Sequence, residues 1–161
     1  MLKGSYVFII SISPQSDTEA LSKNPNDPEA LLFSRLDQLE KFRTGGKFYL
    51  KIVYPELGGS NEWIQSSNPA RDSKIEGYQP IKLDFVVNGN EGIWGGLGRG
   101  TTGDNCLIDD TPDNSYWWMC IGCQNWHGGP NTIPGPRKNE PNVNKYLVTK
   151  VELYVRNANY D

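Results

Sequence analysis

The amino-acid sequence predicts a mainly β protein: an antiparallel β-sandwich with one accessory N-terminal helix and long functional loops. Three observations predict this class. Apolar residues alternate with polar ones along several short segments, the connections are rich in glycine, proline and asparagine, and strands do not alternate with helices as in parallel α/β folds. We therefore expect the 161 residues to form a single domain, 1–161.

The first predicted elements are a strand and a helix. The strand is Lys3–Ser13, whose β-branched and aromatic residues stop at Pro14. The helix is expected near 28–43, because Asp27 can cap a first turn and Pro28 suits the first helical position. Its apolar stripe would consist of residues three or four positions apart, namely Leu32, Leu36, Leu39 and Phe42.

Short strands separated by turn residues are predicted after the helix. They are Lys47–Tyr54, Ile81–Val87, Tyr116–Ile121 and Tyr146–Val155. In the last of them, alternate residues from Leu147 to Val155 share one face. The connections between them, Pro55–Pro80 and Asn88–Ser115, are longer than is usual in a compact domain, so we expect them to carry function.

Charge and hydropathy exclude two classes of partner. The chain has 16 Lys and Arg against 19 Asp and Glu, a net charge of −3, and no basic face is visible, which argues against nucleic acid. No segment approaches the roughly 20 apolar residues of a membrane span, so membrane insertion is not expected. The apolar run Tyr6–Ile10 is too short for the core of a signal peptide, and we interpret the chain as a mature form.

The acidic residues of segment 100–136 suggest a cation site. This segment contains four aspartates and neither lysine nor arginine. Clustered carboxylates repel one another unless a hard cation or hydrogen-bond donors offset them, and calcium selects oxygen-rich loops. An EF-hand starting at Asp109 fails, because Asn114 replaces its glycine and Cys120 its glutamate, so calcium ligands would come from several loops. Turn formation is the alternative explanation for these residues.

Other chemistries have weaker patterns. Cys106, Cys120, Cys123 and His127 have a spacing that could bind zinc, although small buried thiols or a disulfide explain the cysteines better. No nucleophile elbow precedes a helix, and the sole histidine lies beside glycines, so catalysis is not expected. A glycoside hydrolase would need a carboxylate pair drawn from Glu62, Glu91 and Asp109.

Aromatic and planar polar residues in the long connections suit a sugar. An indole face packs on the apolar C–H patch of a pyranose, while aspartate, asparagine and glutamine bond its hydroxyls. All five tryptophans lie in or beside these connections, although packing in the core is the alternative for each: Trp63, Trp94, Trp117, Trp118 and Trp126.

Several sequence blocks resemble a known extracellular module. The blocks are Lys47–Leu57, Asn61–Pro69, Gly95–Arg99, Leu107–Asp110 with Trp117–Trp118, and Ile133–Pro136. They are similar to a module of cnidarian and other marine invertebrate proteins, and in particular to the calcium-dependent galactose-specific lectins of sea anemones. The resemblance covers roughly residues 41–157. It implies a secreted, homodimeric lectin in which calcium bridges protein oxygens and galactose hydroxyls.

We therefore predict a calcium-dependent lectin that binds terminal galactose without catalysis. The expected calcium ligands are Asp109 and Asp110, followed by Asp104, Asp113, Asn105 and Glu62. Trp126 or Trp118 would stack on the sugar ring, and His127 or Asn125 would bond a hydroxyl, with Asn61 as a further ligand-binding residue. The alternative is a calcium-stabilised extracellular adhesion module that binds protein.

Overall fold

The computed structural model describes residues 5–12, 21–85, 94–100, 107–110, 120–121, 133–134 and 147–157. Within them the chain forms twelve strands: β1 (Ser5–Ile12), β2 (Ser22–Lys23), β3 (Phe33–Arg35), β4 (Phe48–Tyr54), β5 (Gly59–Gln65), β6 (Gln79–Leu83), β7 (Leu97–Arg99), β8 (Ile108–Asp110), β9 (Cys120–Ile121), β10 (Ile133–Pro134), β11 (Leu147–Val148) and β12 (Val151–Asn157). One 3-10 helix, Leu36–Phe42, lies among the described residues. The predicted class, an antiparallel β-sandwich with one accessory helix, is confirmed.

A seven-stranded antiparallel sheet forms the main layer. Its strand order is β2-β3-β1-β12-β4-β5-β6, so β12 lies between β1 and β4. The smaller sheets are β7-β8-β9 and β10-β11. Side chains alternate along β4, where Phe48, Leu50, Ile52 and Tyr54 are buried and the residues between them are partly exposed.

The hydrophobic core lies between the layers. Apolar residues of the small sheets and of the connections join the inner face of the main sheet in one buried cluster, to which Trp94, Leu97, Ile108 and Val148 belong. The bulge in β1 between Phe8 and Ile10 adds to this core, because Ile9 and Ile10 are both fully buried.

The outer face of the main sheet carries aromatic rings with cationic side chains over them. Lys51 Nζ lies 5.5 Å from the centre of the Tyr6 ring, and Arg156 Cζ lies 5.3 Å from that of Tyr49. The Tyr154 hydroxyl of β12 donates a hydrogen bond to the Glu152 carboxylate. Burial, together with this hydrogen bond, raises the pKa of Tyr154 to about 12.

The predicted helix near 28–43 is wrong in its start and in its type. Residues Phe33–Arg35 join the main sheet as β3, and the helix begins only at Leu36. Leu36, Leu39 and Phe42 are each three positions apart, which is the repeat of a 3-10 helix, and Leu36 and Leu39 are buried. Asp27 and Pro28 therefore belong to a turn before β3.

The predicted strand Tyr146–Val155 is divided into β11 and β12. The break lies at Thr149 and Lys150, which are exposed. Glu56 holds it: one carboxylate oxygen accepts hydrogen bonds from the Thr149 amide at 2.6 Å, the Thr149 hydroxyl at 2.5 Å and the Lys150 amide at 3.0 Å. The face expected from Leu147 to Val155 is therefore interrupted at the exposed Thr149, and alternate residues are buried from Val151 to Val155.

The remaining predicted strands lie close to observed ones. Lys3–Ser13 corresponds to β1 and Lys47–Tyr54 to β4. Ile81–Val87 is displaced toward its N-terminus, because Gln79 and Pro80 pair with β5 and the pairing ends at Leu83. Of Tyr116–Ile121, only the last two residues lie within the described part of the chain.

Candidate functional site

Few of the predicted site residues fall within the described part of the chain. Asp109 and Asp110 lie in β8, and Asn61 and Glu62 lie in β5. The remaining predicted metal and sugar ligands lie outside the described residues: Asp104, Asn105, Asp113, Trp118, Asn125, Trp126 and His127. The same holds for Cys106 and Cys123 of the alternative zinc site and for Glu91 of the alternative hydrolase pair.

Asp109 is a buried carboxylate in the small sheet. It is 3% exposed and lies directly opposite Gly98 of β7. Paired residues of antiparallel strands project to the same face, so Gly98 contributes no side chain beside Asp109. A buried carboxylate is costly unless donors or a cation stabilise it. Asp109 is therefore expected to interact with hydrogen-bond donors or with a cation inside the protein.

Asp109 and Asp110 occupy successive positions of β8. In the register of the sheet, Asp110 pairs with Leu97 and Asp109 pairs with Gly98. The Asp110 side chain lies outside the described part of the structure, so its role as a calcium ligand stays a prediction.

Asn61 and Glu62 project from opposite faces of β5. Asn61 is fully buried, and its side-chain amide makes two hydrogen bonds of 2.9 Å with the backbone of Phe85, one as donor and one as acceptor. Glu62 projects from the other face of β5, where its carboxylate lies 3.4 Å from Lys51 Nζ. Asn61 therefore fixes the chain after β6, and Glu62 belongs to the outer face of the main sheet.

The register of the small sheet fixes where its connections attach. Arg99, Ile108 and Ile121 lie at one end, where the connection with Asp104 and Asn105 begins and ends. The connection from Asp110 to Cys120 begins and ends at the opposite end. The predicted ligands within these connections lie outside the described residues.

No three histidine, cysteine, aspartate or glutamate side chains form a group that could bind a metal within the described ranges. Among the described residues, Asp109 is a predicted calcium ligand with a buried carboxylate, and it lies between Gly98 of β7 and Cys120 of β9 in the sheet. Calcium takes six to eight oxygen ligands. The others would have to come from residues outside the described part.

Two of the five tryptophans belong to the core. Trp63 and Trp94 are buried, with ring centres 4.6 Å apart and planes at 89°. Trp63 Nε1 donates a hydrogen bond of 2.7 Å to Gln65 Oε1. Core packing, the alternative weighed for each tryptophan, holds for these two, so neither is exposed to stack on a sugar.

Gln65 is the main residue of this region that sequence reasoning missed. It lies in β5, inside a segment expected to be a long connection. Its fully buried amide bonds both backbone groups of Leu97 in β7: Oε1 accepts from the amide at 3.1 Å, and Nε2 donates to the carbonyl at 2.9 Å. Polar residues at alternate positions of the segment, Asn61 and Gln65, were the available signal.

A backbone hydrogen bond to Asp72, in the connection between β5 and β6, ends at a residue of β7 like the contacts of Gln65. The Arg99 amide donates a hydrogen bond of 2.8 Å to the Asp72 carbonyl, and the Asp72 carboxylate accepts from the Asn68 amide at 2.9 Å. Asn68 in turn donates to Glu40. The hydrogen bond from Arg43 lowers the pKa of Glu40 to about 2, so this carboxylate is ionised at neutral pH.

The described residues include no helix with the length and hydropathy of a membrane span. In comparisons with known proteins, no family model, curated protein or solved structure matches the chain. The resemblance to sea-anemone lectins therefore stays a prediction from the sequence blocks.

Proposed function

We propose that this protein is a secreted, calcium-dependent lectin that binds terminal galactose and performs no catalysis. The observation that carries the proposal is the buried carboxylate of Asp109 opposite Gly98. In the sequence it lies within the segment that concentrates aspartates and tryptophans and lacks lysine and arginine. A β-sandwich scaffold with long connections is compatible with a loop-built site.

Asp109 would supply one carboxylate to the ion, with Asp104, Asn105 and Asp113 as further candidates. When bound, calcium would supply open coordination positions for two vicinal hydroxyls of the sugar. Trp126 or Trp118 would pack on the C–H face of the ring, and His127 or Asn125 would donate to a hydroxyl. A homodimer would present two sites and could bridge cells by multivalent binding.

A second function is favoured by the depth of Asp109. A carboxylate that is 3% exposed is shielded from a ligand in solution. Calcium held there would stabilise the loops without touching a sugar, as in an extracellular adhesion module that binds protein. Both functions require bound calcium, but only the lectin binds galactose.

A glycan array probed with and without a calcium chelator tests the proposal directly. We expect binding to galactose-terminated glycans that chelator and free galactose both abolish, and agglutination of red cells that follows the same pattern. Binding that survives both treatments would contradict the lectin. Release of sugar from a chromogenic galactoside would instead support the hydrolase.

The role of Asp109 is tested by D109N, with D37N as the matched control. Both substitutions replace a carboxylate by an amide, but Asp37 is exposed in the first turn of the 3-10 helix. We expect D109N to weaken calcium binding measured by titration calorimetry, and D37N to leave it unchanged. Calcium binding without galactose binding in the wild type would favour the adhesion module.

A further inference from the structure

A groove of about 320 Å³ lies between the turn before β3 and the corner between β11 and β12. Residues 28–31 form one wall, and residues 149–150 form the other. Ser11, near the end of β1, also lines the groove and is 4% exposed, so it marks the bottom. Sites for small molecules have volumes of about 300–1,000 Å³, so the groove suits a ligand at the small end of that range.

The wall formed by residues 28–31 is fixed by hydrogen bonds of its own turn. The Asp27 amide donates to the Asn24 carbonyl at 2.9 Å, and the Ala30 amide donates to the Asp27 carbonyl at 3.1 Å. The Asn24 side chain donates to the Leu32 carbonyl at 2.8 Å, which ties the two ends of the turn together. A ligand therefore finds this wall already ordered, and binding need not supply the free energy of ordering it.

The opposite wall is fixed by Glu56, whose carboxylate accepts hydrogen bonds from the amides of Thr149 and Lys150. The Lys150 side chain remains available to a ligand. Its ammonium lies 3.9 Å from the Glu152 carboxylate, which is beyond hydrogen-bond distance, and the side chain is 50% exposed. Both walls are thus preformed, while a cationic group at the groove stays accessible.

The groove presents one charge of each sign beside an apolar surface. Glu29 is exposed and lines the groove together with Lys150. Leu31, which also lines it, is 79% exposed and is the most exposed large apolar side chain among the residues that the structure describes. A small ligand that pairs with both charges carries an ammonium and a carboxylate, and its apolar part would cover Leu31.

We propose that this groove binds a free α-amino acid with an aliphatic side chain. Lys150 pairs with the carboxylate of the ligand, Glu29 pairs with its ammonium, and Leu31 contacts its side chain. An internal peptide segment carries neither terminal charge and a chain terminus carries only one, so the free amino acid is the occupant that matches both. None of these three residues is a predicted calcium or sugar ligand, so the site is independent of the proposed lectin function.

Titration of the protein with L-leucine, followed by the NMR shifts of its backbone amides, tests the proposal. Two analogues each lack one charge: leucinamide keeps the ammonium, and 4-methylpentanoate keeps the carboxylate. The titrations are made at about pH 6.5, where the α-ammonium is protonated, and at an ionic strength of about 0.15 M. We expect leucine to shift the amides of Leu31 and Lys150 saturably, and each analogue to bind roughly 2- to 5-fold more weakly, as for loss of one exposed ion pair.

Surface variants assign each charge to its partner. In K150M, leucine should bind no better than leucinamide, and in E29Q it should bind no better than 4-methylpentanoate. L31S should weaken all three ligands. The controls K74M and E76Q remove the charges of an exposed ion pair outside the groove and should leave leucine affinity unchanged.

Three results would overturn the proposal. The first is the absence of saturable leucine shifts at Leu31 and Lys150 in the wild type. The second is equal affinity of the wild type for leucine and both analogues. The third is a loss of leucine affinity in K74M and E76Q as large as in K150M and E29Q, because overall charge rather than the groove would then attract the ligand.

Discussion

Glu56 stabilises the corner between β11 and β12, and its removal gives a measurable loss of stability. One oxygen of its carboxylate accepts three hydrogen bonds from Thr149 and Lys150. Hydrogen bonds to charged groups contribute about 1.5–3 kcal/mol when well shielded, but this corner is exposed and water replaces Glu56 as acceptor. We therefore expect E56A to lower the free energy of unfolding by about 1–2 kcal/mol at pH 7.

Urea denaturation of E56A and of the control E29A tests this value. Glu29 is an exposed glutamate lining the same groove of about 320 Å³ as Thr149 and Lys150, and its loss should change stability by less than about 0.5 kcal/mol. The hydrogen bond from the Thr149 hydroxyl, followed by those from the two amides, lowers the pKa of Glu56. The stabilisation is therefore complete above the unfolded pKa of 4.5 and is lost as pH falls through the lower folded pKa. Equal midpoints for wild type and E56A at pH 7 would refute the reasoning.

Three further predictions concern the interior and the ion pairs. Arg43 holds the pKa of Glu40 at about 2, below its ordinary 4.5, so wild type should lose stability in urea titrations between pH 4.5 and 2, whereas E40Q should lose less. G96A should destabilise the protein by more than about 1 kcal/mol in the same assay, because its φ is +102° and its Cβ would meet the Gln65 oxygen. W94A should lower the free energy of unfolding by about 3–5 kcal/mol and weaken the near-ultraviolet dichroism, because Trp94 is 1% exposed.

The fold was predictable wherever apolar residues alternate with period two. β4 and β12 have that pattern and lie within or beside the predicted strands, whereas β1 was predicted from its run of β-branched and aromatic residues. The helix was misplaced because apolar residues three and four positions apart fit both an α-helix and a shorter 3-10 helix that follows a strand. Phe33 and Ser34 pair with β1, a tertiary contact that no local pattern reports, and Phe33–Arg35 therefore form a strand within the predicted helix.

The strand β5 was missed for a different reason. Its inner face carries Asn61 and Gln65 on either side of Trp63, so the segment lacks apolar alternation. These amides are buried because distant backbone groups satisfy them, and sequence gives no sign of such partners. Hydrogen-bonded polar residues can therefore occupy a core strand that looks like a loop.

The candidate site was predictable in composition more than in geometry. The acidic segment does contain a carboxylate in an unusual setting, Asp109. The sequence could not show that Glu62 projects from the outer face beside Lys51. Nor could it show that the Asn61 side chain is hydrogen-bonded to the backbone of Phe85. Convergence of side chains depends on strand register, and register is a property of pairings distant in sequence.

The place of β12 between β1 and β4 has a consequence for how the protein is made. Tyr6 pairs with Arg156, and Leu50 pairs with Val155, so the middle of the main sheet stays open until residues near 156 have been synthesised. Contacts this distant in sequence slow folding and leave strand edges exposed during synthesis. The main sheet should therefore complete its pairing only once β12 has been synthesised, and assistance that shields the edges of β1 and β4 until then should raise the yield of native protein.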